Sequence, residues 1–278
     1  MSHQFGTLGT GPGQFDGPEG VAFNTAGHLF VCDYGNSRIQ IFRRDGPTSW
    51  LPVHEFGSLG SAPGEFEIPI AIAVSETNDI YIADFGNNRI QVFHLDGTFS
   101  CLGSEGTGPG QFQSPVGIAI YEDTIFVCDY LNHRIQCFHQ DGTFVRMWGT
   151  YGSEPGQFDH PRALAVSSTG VYVCDRLNNR IQVFDHNGTF LRSWGGVEDI
   201  LHHPQCIAVS EAGKVFVGEQ NRMKVFQSEG TYDHQLELPD GDQGPFRPSG
   251  VAVAANGDVV ICDIINARIH TINATAIA

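Results

Sequence analysis

An all-β chain is predicted: a six-bladed β-propeller of four-stranded antiparallel blades, with the N-terminal strand closing the last blade. Three observations carry the prediction. An eleven-residue phrase, CDYGNSRIQIF from Cys32, returns as ADFGNNRIQVF from Ala83, CDYLNHRIQCF from Cys128 and CDRLNNRIQVF from Cys174. Apolar runs of four to six residues alternate with clusters of Gly, Pro, Asn and Asp, and no 3.6-residue period appears. HQFGTLGTGPGQF from His3 returns as HEFGSLGSAPGEF from His54.

The blades follow from the spacing of the phrase. Its acid stands at Asp33, Asp84, Asp129, Asp175, Glu219 and Asp263, and its arginine at Arg38, Arg89, Arg134, Arg180, Arg222 and Arg268. Successive acids are 51, 45, 46, 44 and 44 residues apart, the length of a four-stranded blade. The third unit gives the strands: GIAI (a), TIFVCD (b), RIQCF (c) and TFVRMWG (d). The fifth unit, GEQNRMKVF, has lost two residues between acid and arginine, which puts its local geometry in question. Closure follows from the His3 phrase. Its second copy ends blade 1, so its first copy is an outer strand without a blade. The last unit stops after strand c, and the N-terminal segment should complete it and remove an open edge. Residues 1–278 then form one propeller domain.

The pattern P-x-G-x-A-V, a strand ending in Asp, then N-x-R-I-Q-V-F resembles the NHL-repeat family across essentially the whole chain. The resemblance implies a six-bladed ring of the kind carried by TRIM-type ubiquitin ligases, used by relatives to recognise proteins or RNA. A minority of similar rings, the peptidylamidoglycolate lyases, are metal-dependent enzymes. Part of a larger ubiquitin ligase, reading its substrate, is one setting the resemblance suggests.

Composition narrows the function. The 31 acids outnumber the 15 bases, for a net charge of −16. Nucleic-acid affinity rests mainly on neutralising phosphates, so the balance argues against RNA and against an anionic membrane surface. No apolar run reaches the roughly 20 residues of a spanning helix, and the N-terminus has no apolar signal core. These features, with seven cysteines and no C-x-x-C, suggest a cytoplasmic setting with buried free thiols.

The acid–arginine pairs Asp33–Arg38, Asp84–Arg89, Asp129–Arg134, Asp175–Arg180 and Asp263–Arg268 read as structural latches fixing blade ends, since six separate active sites would be an odd use of one motif. What varies between them should carry specificity. Strand alternation puts the b–c and d–a loops on one face. After the latch acid come Tyr34, Phe85, Tyr130 and Arg176; after the d–a proline come Glu19, Arg162 and Gln205, nearer the pore. These seven are the candidate partner-binding residues, for a protein or peptide of complementary positive charge. No catalytic residue, metal or cofactor is expected: there is no P-loop, nucleophile elbow or H-E-x-x-H. His160 and His203, each before a d–a proline, are the candidates for a metal, which would need a third ligand.

Overall fold

The computed structural model describes residues 2–196, 200–236 and 245–277. Six antiparallel sheets of four strands stand around a central channel. The third blade is built of Pro115–Tyr121, Thr124–Asp129, Arg134–His139 and Phe144–Trp148, within two residues of the strands read from the sequence. The sixth is Pro248–Val253, Val259–Asp263 and Arg268–Ile272, with Ser2–Phe5 as its outer strand, in register Ser2 to Ile272 and Phe5 to Ile269. Phe5 then packs edge-on against Phe42 of blade 1, ring centroids 5.1 Å apart. The shortened fifth unit keeps all four strands, Cys206–Val209, Val215–Glu219, Arg222–Phe226 and Tyr232–Leu236. No helix among the described residues is long and apolar enough to cross a membrane.

The core lies between blades, not inside one. In strand b of blade 3, Ile125 and Val127 pack into a cluster with blade 2, while Phe126 and Cys128 pack into a cluster with blade 4. The two-residue period of a strand sends alternate side chains to opposite neighbours, which is why both faces read as apolar. Cys32, Cys128, Cys137, Cys174, Cys206 and Cys262 are buried in these interfaces as free thiols, and Cys101 is exposed. Burial pushes Cys137 and Cys206 up to about 12.

Near the axis the inner strands approach closely. A Cβ on Gly117 would lie 2.9 Å from the Ala163 Cα, and one on Gly20 would lie 2.6 Å from the Ala71 Cα. The small residue two places after the d–a proline is therefore a packing requirement of the ring. The d–a connections hold a detail the periodicity did not suggest. They fold back on themselves through short parallel pairings, such as Leu8 with Phe15 and Glu105 with Phe112, and through single bridges at Leu59–Phe66 and Tyr151–Phe158. The phenylalanine of each pair is fully buried, while Leu8, Leu59, Glu105 and Tyr151 face solvent.

Candidate functional site: the face of the b–c and d–a loops

The latch residues sit at the top of each blade and bolt the b–c loop to the incoming d–a connection. In blade 3, Asp129 is fully buried. Its Oδ2 accepts from Arg134 Nε (2.7 Å), Asn132 Nδ2 (2.9 Å) and Gln136 Nε2 (3.0 Å), and its Oδ1 from the Gln113 N–H (2.8 Å). The rest of the Arg134 fork donates to the carbonyls of Thr107, Gly108 and Gln111. Blades 1, 2 and 4 repeat the pair, with Arg Nε–Asp Oδ2 distances of 2.8, 2.8 and 2.7 Å. The acid–arginine reading of the latch left out the Asn and the Gln. Both are latch members, and their recurrence in the phrase was the available signal.

Two blades build the latch differently. In blade 5 the longer Glu219 spans the lost residues, accepting from Arg222 Nε (2.5 Å) and from Lys224 Nζ (2.7 Å), which stands where other blades have Gln. In blade 6 Asp263 opposes Arg268 across the strand pair and accepts from Asn266 Nδ2 (2.6 Å), with His270 in the Gln position.

The candidate partner-binding residues separate into two rings. The six residues that follow the d–a proline (Glu19, Ile70, Val116, Arg162, Gln205 and Ser249) line a cavity of about 110 Å³ at the pore mouth. Glu19 and Arg162 belong to blades 1 and 4, opposite one another in the ring. They join across the pore: Arg162 Nη2 lies 3.1 Å from Glu19 Oε2 and 3.3 Å from Oε1. Burial pushes the Glu19 carboxyl above its ordinary range, against the pull of Arg162 and Arg247. The sequence brought both residues to the pore but gave no sign that they pair.

The outer ring is less exposed than loop tips suggest. Tyr34 lies flat on Gly17, where a Cβ would come within 2.1 Å of the ring. Phe85 and Tyr130 pack against the core between blades 3 and 4, and Arg176 Nη1 donates to the Tyr130 hydroxyl (3.2 Å). The side chains that reach solvent are neighbours: Leu131, Leu177 and Ile265, one residue further along the b–c loops.

His160 meets His133 and Asp159; His203 is not in that group. The His133 ring reaches the blade 4 connection and lies 4.6 Å from that of His160. Asp159 Oδ1 binds His160 Nδ1 (2.6 Å), which fixes the proton there and leaves Nε2 free. His133 Nδ1 accepts the His160 N–H (3.1 Å), so its proton sits on Nε2. Burial, reinforced by His160, holds His133 below the usual histidine range. The ligand atoms of the three lie within 4.8 Å of one another, a spacing that could hold a metal ion, and they are joined here by hydrogen bonds. His203 is tied separately, its N–H donating to Asn179 Oδ1 (2.8 Å). With Tyr130 and Tyr151, His160 and His133 make a ribbon of edge-on rings with centroids 4.6 to 4.9 Å apart, ending at solvent on Tyr151.

Comparison with known proteins agrees with this architecture. The NHL repeat model matches residues 15–42, 66–93 and 112–138. NHL repeat-containing protein 3 of Homo sapiens is 38% identical over 88 residues, covering 31% of this chain and 24% of that protein. Protein brain tumor of Drosophila melanogaster is 33% identical over 98 residues, 34% of this chain and 9% of that protein. E3 ubiquitin-protein ligase TRIM32 of Mus musculus is 40% identical over 47 residues, 17% of this chain and 7% of that protein. The chain thus matches a quarter or less of the length of these three relatives. Among solved structures, a gluconolactonase from Xanthomonas campestris superposes with a TM-score of 0.70 at 16% identity, over 94% of this chain and 86% of that one. Virginiamycin B lyase from Staphylococcus aureus, with quinupristin, gives 0.66 at 15% identity, over 95% and 82%. At such identities the likeness is one of fold. Three repeats of this chain thus match the NHL repeat model, within a closed ring folded as a six-bladed β-propeller.

Proposed function

We propose that the propeller is a non-catalytic recognition module that binds a protein or peptide partner across the b–c/d–a loop face. One observation carries the reading. Large exposed apolar side chains gather on that face: Leu8 (72% exposed), Leu59 (74%) and Tyr151 (68%) on the d–a connections, with Leu131, Leu177 and Ile265 on the b–c loops. On the opposite face, the turns contribute Leu95 among the described residues. Exposed apolar groups spread over one face of a ring and rimmed by charge are the usual mark of a docking surface. The acidic balance of the chain favours a partner of positive net charge. The similarity to TRIM32, an E3 ubiquitin-protein ligase by name, is consistent with a substrate-reading role within a larger protein.

The test is a peptide-display selection on the folded chain, followed by affinity measurement on variants. Leu59→Ser and Tyr151→Ser should each weaken the selected peptides by roughly thirtyfold, the scale of losing a hot-spot contact. Leu95→Ser, exposed on the far face, should leave them unchanged. Binders that respond to Leu95→Ser and ignore the other two would remove the basis for this reading.

A further inference from the structure

The trans-pore pair stands out because a ring so nearly repetitive places charge at only two of its six pore-mouth positions, and on opposite blades. Glu19 is 7% exposed and, among the described residues, its carboxylate accepts from Arg162 alone. Arg162 is more open: its side chain is 18% exposed, and its hydrogen bonds run from Nη2 only. A guanidinium has five N–H donors in a rigid fork; among the described residues the Nε–H and the two Nη1–H groups of Arg162 have no protein acceptor. Arg247, beside the d–a proline of blade 6, is exposed and close enough to pull on Glu19 electrostatically.

We propose that the pore mouth is a socket for one carboxylate group, held by the open edge of Arg162, with Glu19 as the internal counter-ion that fixes the guanidinium in place. The fork of an arginine matches a planar carboxylate two bonds at a time. The cavity of about 110 Å³ has room for a few waters at ~30 Å³ each, enough for a carboxylate and the methylene that carries it. Ile70 and Val116 supply apolar wall for that stem; Gln205 also lines the cavity, its backbone N–H donating to the Gly218 carbonyl (2.7 Å). Ser249 Oγ is directed to the carbonyls of Pro18 and Cys262 and only holds the wall. The inference rests on the docking-face reading: the carboxylate belongs to a partner peptide lying across the face, as a C-terminus or an acidic side chain.

The experiment labels the full chain with ¹⁵N-arginine and follows the Arg162 Nε–H signal, identified by its loss in Arg162→Gln. The probes are Ac-Ala-Asp-Ala-NH2, Ac-Ala-Ala-Ala-OH, the neutral Ac-Ala-Asn-Ala-NH2, and inorganic phosphate. At least one acid peptide should shift the signal saturably, with affinity about tenfold or more above the neutral peptide, as expected for charge-assisted bonds; which of the two does so distinguishes side chain from terminus. Glu19→Gln should tighten that peptide by about tenfold, because Arg162 loses its competing counter-ion. A merely structural pair would give no such gain. Arg162→Gln leaves Glu19 buried without its partner, so where that variant fails to fold, Glu19→Gln with Arg162→Gln takes its place and should abolish acid-peptide selectivity. Equal response to all three peptides, a preference for phosphate, or weaker binding in Glu19→Gln overturns the socket. The docking face is tested separately by Leu59→Ser and Tyr151→Ser, which do not touch the pore, so failure here leaves that reading standing.

Discussion

Replacing Arg134 by alanine tests what the repeated phrase is for. The arginine side chain is 8% exposed and its partner Asp129 is fully buried. Removing it strips Asp129 of its counter-ion and leaves the carbonyls of Thr107, Gly108 and Gln111 without the fork that holds them. Asn132, Gln136 and the Gln113 N–H still serve the carboxylate, which keeps the loss below that of a bare charge. Breaking a buried pair by deleting one partner costs about 3–5 kcal/mol, and for a chain of this size that corresponds to a fall in Tm of roughly 10 °C. Chemical denaturation read by tryptophan fluorescence measures it. Arg222→Ala supplies the comparison: that side chain is 43% exposed, and Lys224 also serves Glu219, so the loss should be about 1 kcal/mol, nearer that of a surface pair. Peptides bound at the b–c/d–a face should retain their affinity for folded Arg134→Ala. A loss under about 1 kcal/mol for Arg134→Ala, or equal losses for the two variants, would refute the latch argument.

Two further outcomes are expected. Deleting residues 1–8 removes the outer strand of blade 6 and the Phe5 contact with Phe42; the exposed edge and lost ring burial should cost about 3 kcal/mol or more, and an unchanged melting temperature would exclude a structural role for the strand. The Glu19 carboxyl titrates above its ordinary value because of burial. Its contribution to stability is therefore full below the unfolded value and is lost as pH rises through the raised folded one, so Glu19→Gln with Arg162→Gln should gain stability relative to the wild type between acid and neutral pH, and a relative loss over that range would contradict the sign.

The ring was legible because its information is periodic. Acid, arginine and proline recur at blade spacing, and a copied N-terminal phrase declares the closing strand before any contact is known. The third blade was read to within two residues because Gly, Pro and Asp mark its ends. What repetition could not supply was any interaction between unlike positions. Glu19 and Arg162 are 143 residues apart, and their contact exists only once six blades have closed. His133 and His160 belong to different blades and meet because the residue before the latch arginine reaches the next d–a connection, as Asn88 reaches the Ser114 N–H and Asn179 the His203 N–H. That reach is itself periodic, but its chemistry changes with the side chain, so the sequence showed two histidines in a loop grammar and not a pair. Exposure was hard to read for a related reason. Tyr34, Phe85 and Tyr130 follow a latch acid, where a tip was expected, but the latch draws the loop down onto the d–a connection, and the rings fill the gap beneath.

The division between constant and variable positions bears directly on where recognition is built. A residue repeated in most blades is under a demand that every blade makes, and the demands shared by all blades are those of packing and closure: the buried acid, the fork that holds the connection, the small residue where inner strands meet. A site that reads one partner cannot have the ring's symmetry, because a peptide has none. It has to use positions where the blades disagree. The pore mouth is such a place, with Glu, Ile, Val, Arg, Gln and Ser in turn. So are the connection tips, with Leu8, Leu59, Glu105 and Tyr151. Both sets lie on the face where the latches have already fixed the backbone. Rigid loops carrying unlike side chains reduce the ordering cost of binding, so the same bonds that hold the ring also prepare its surface.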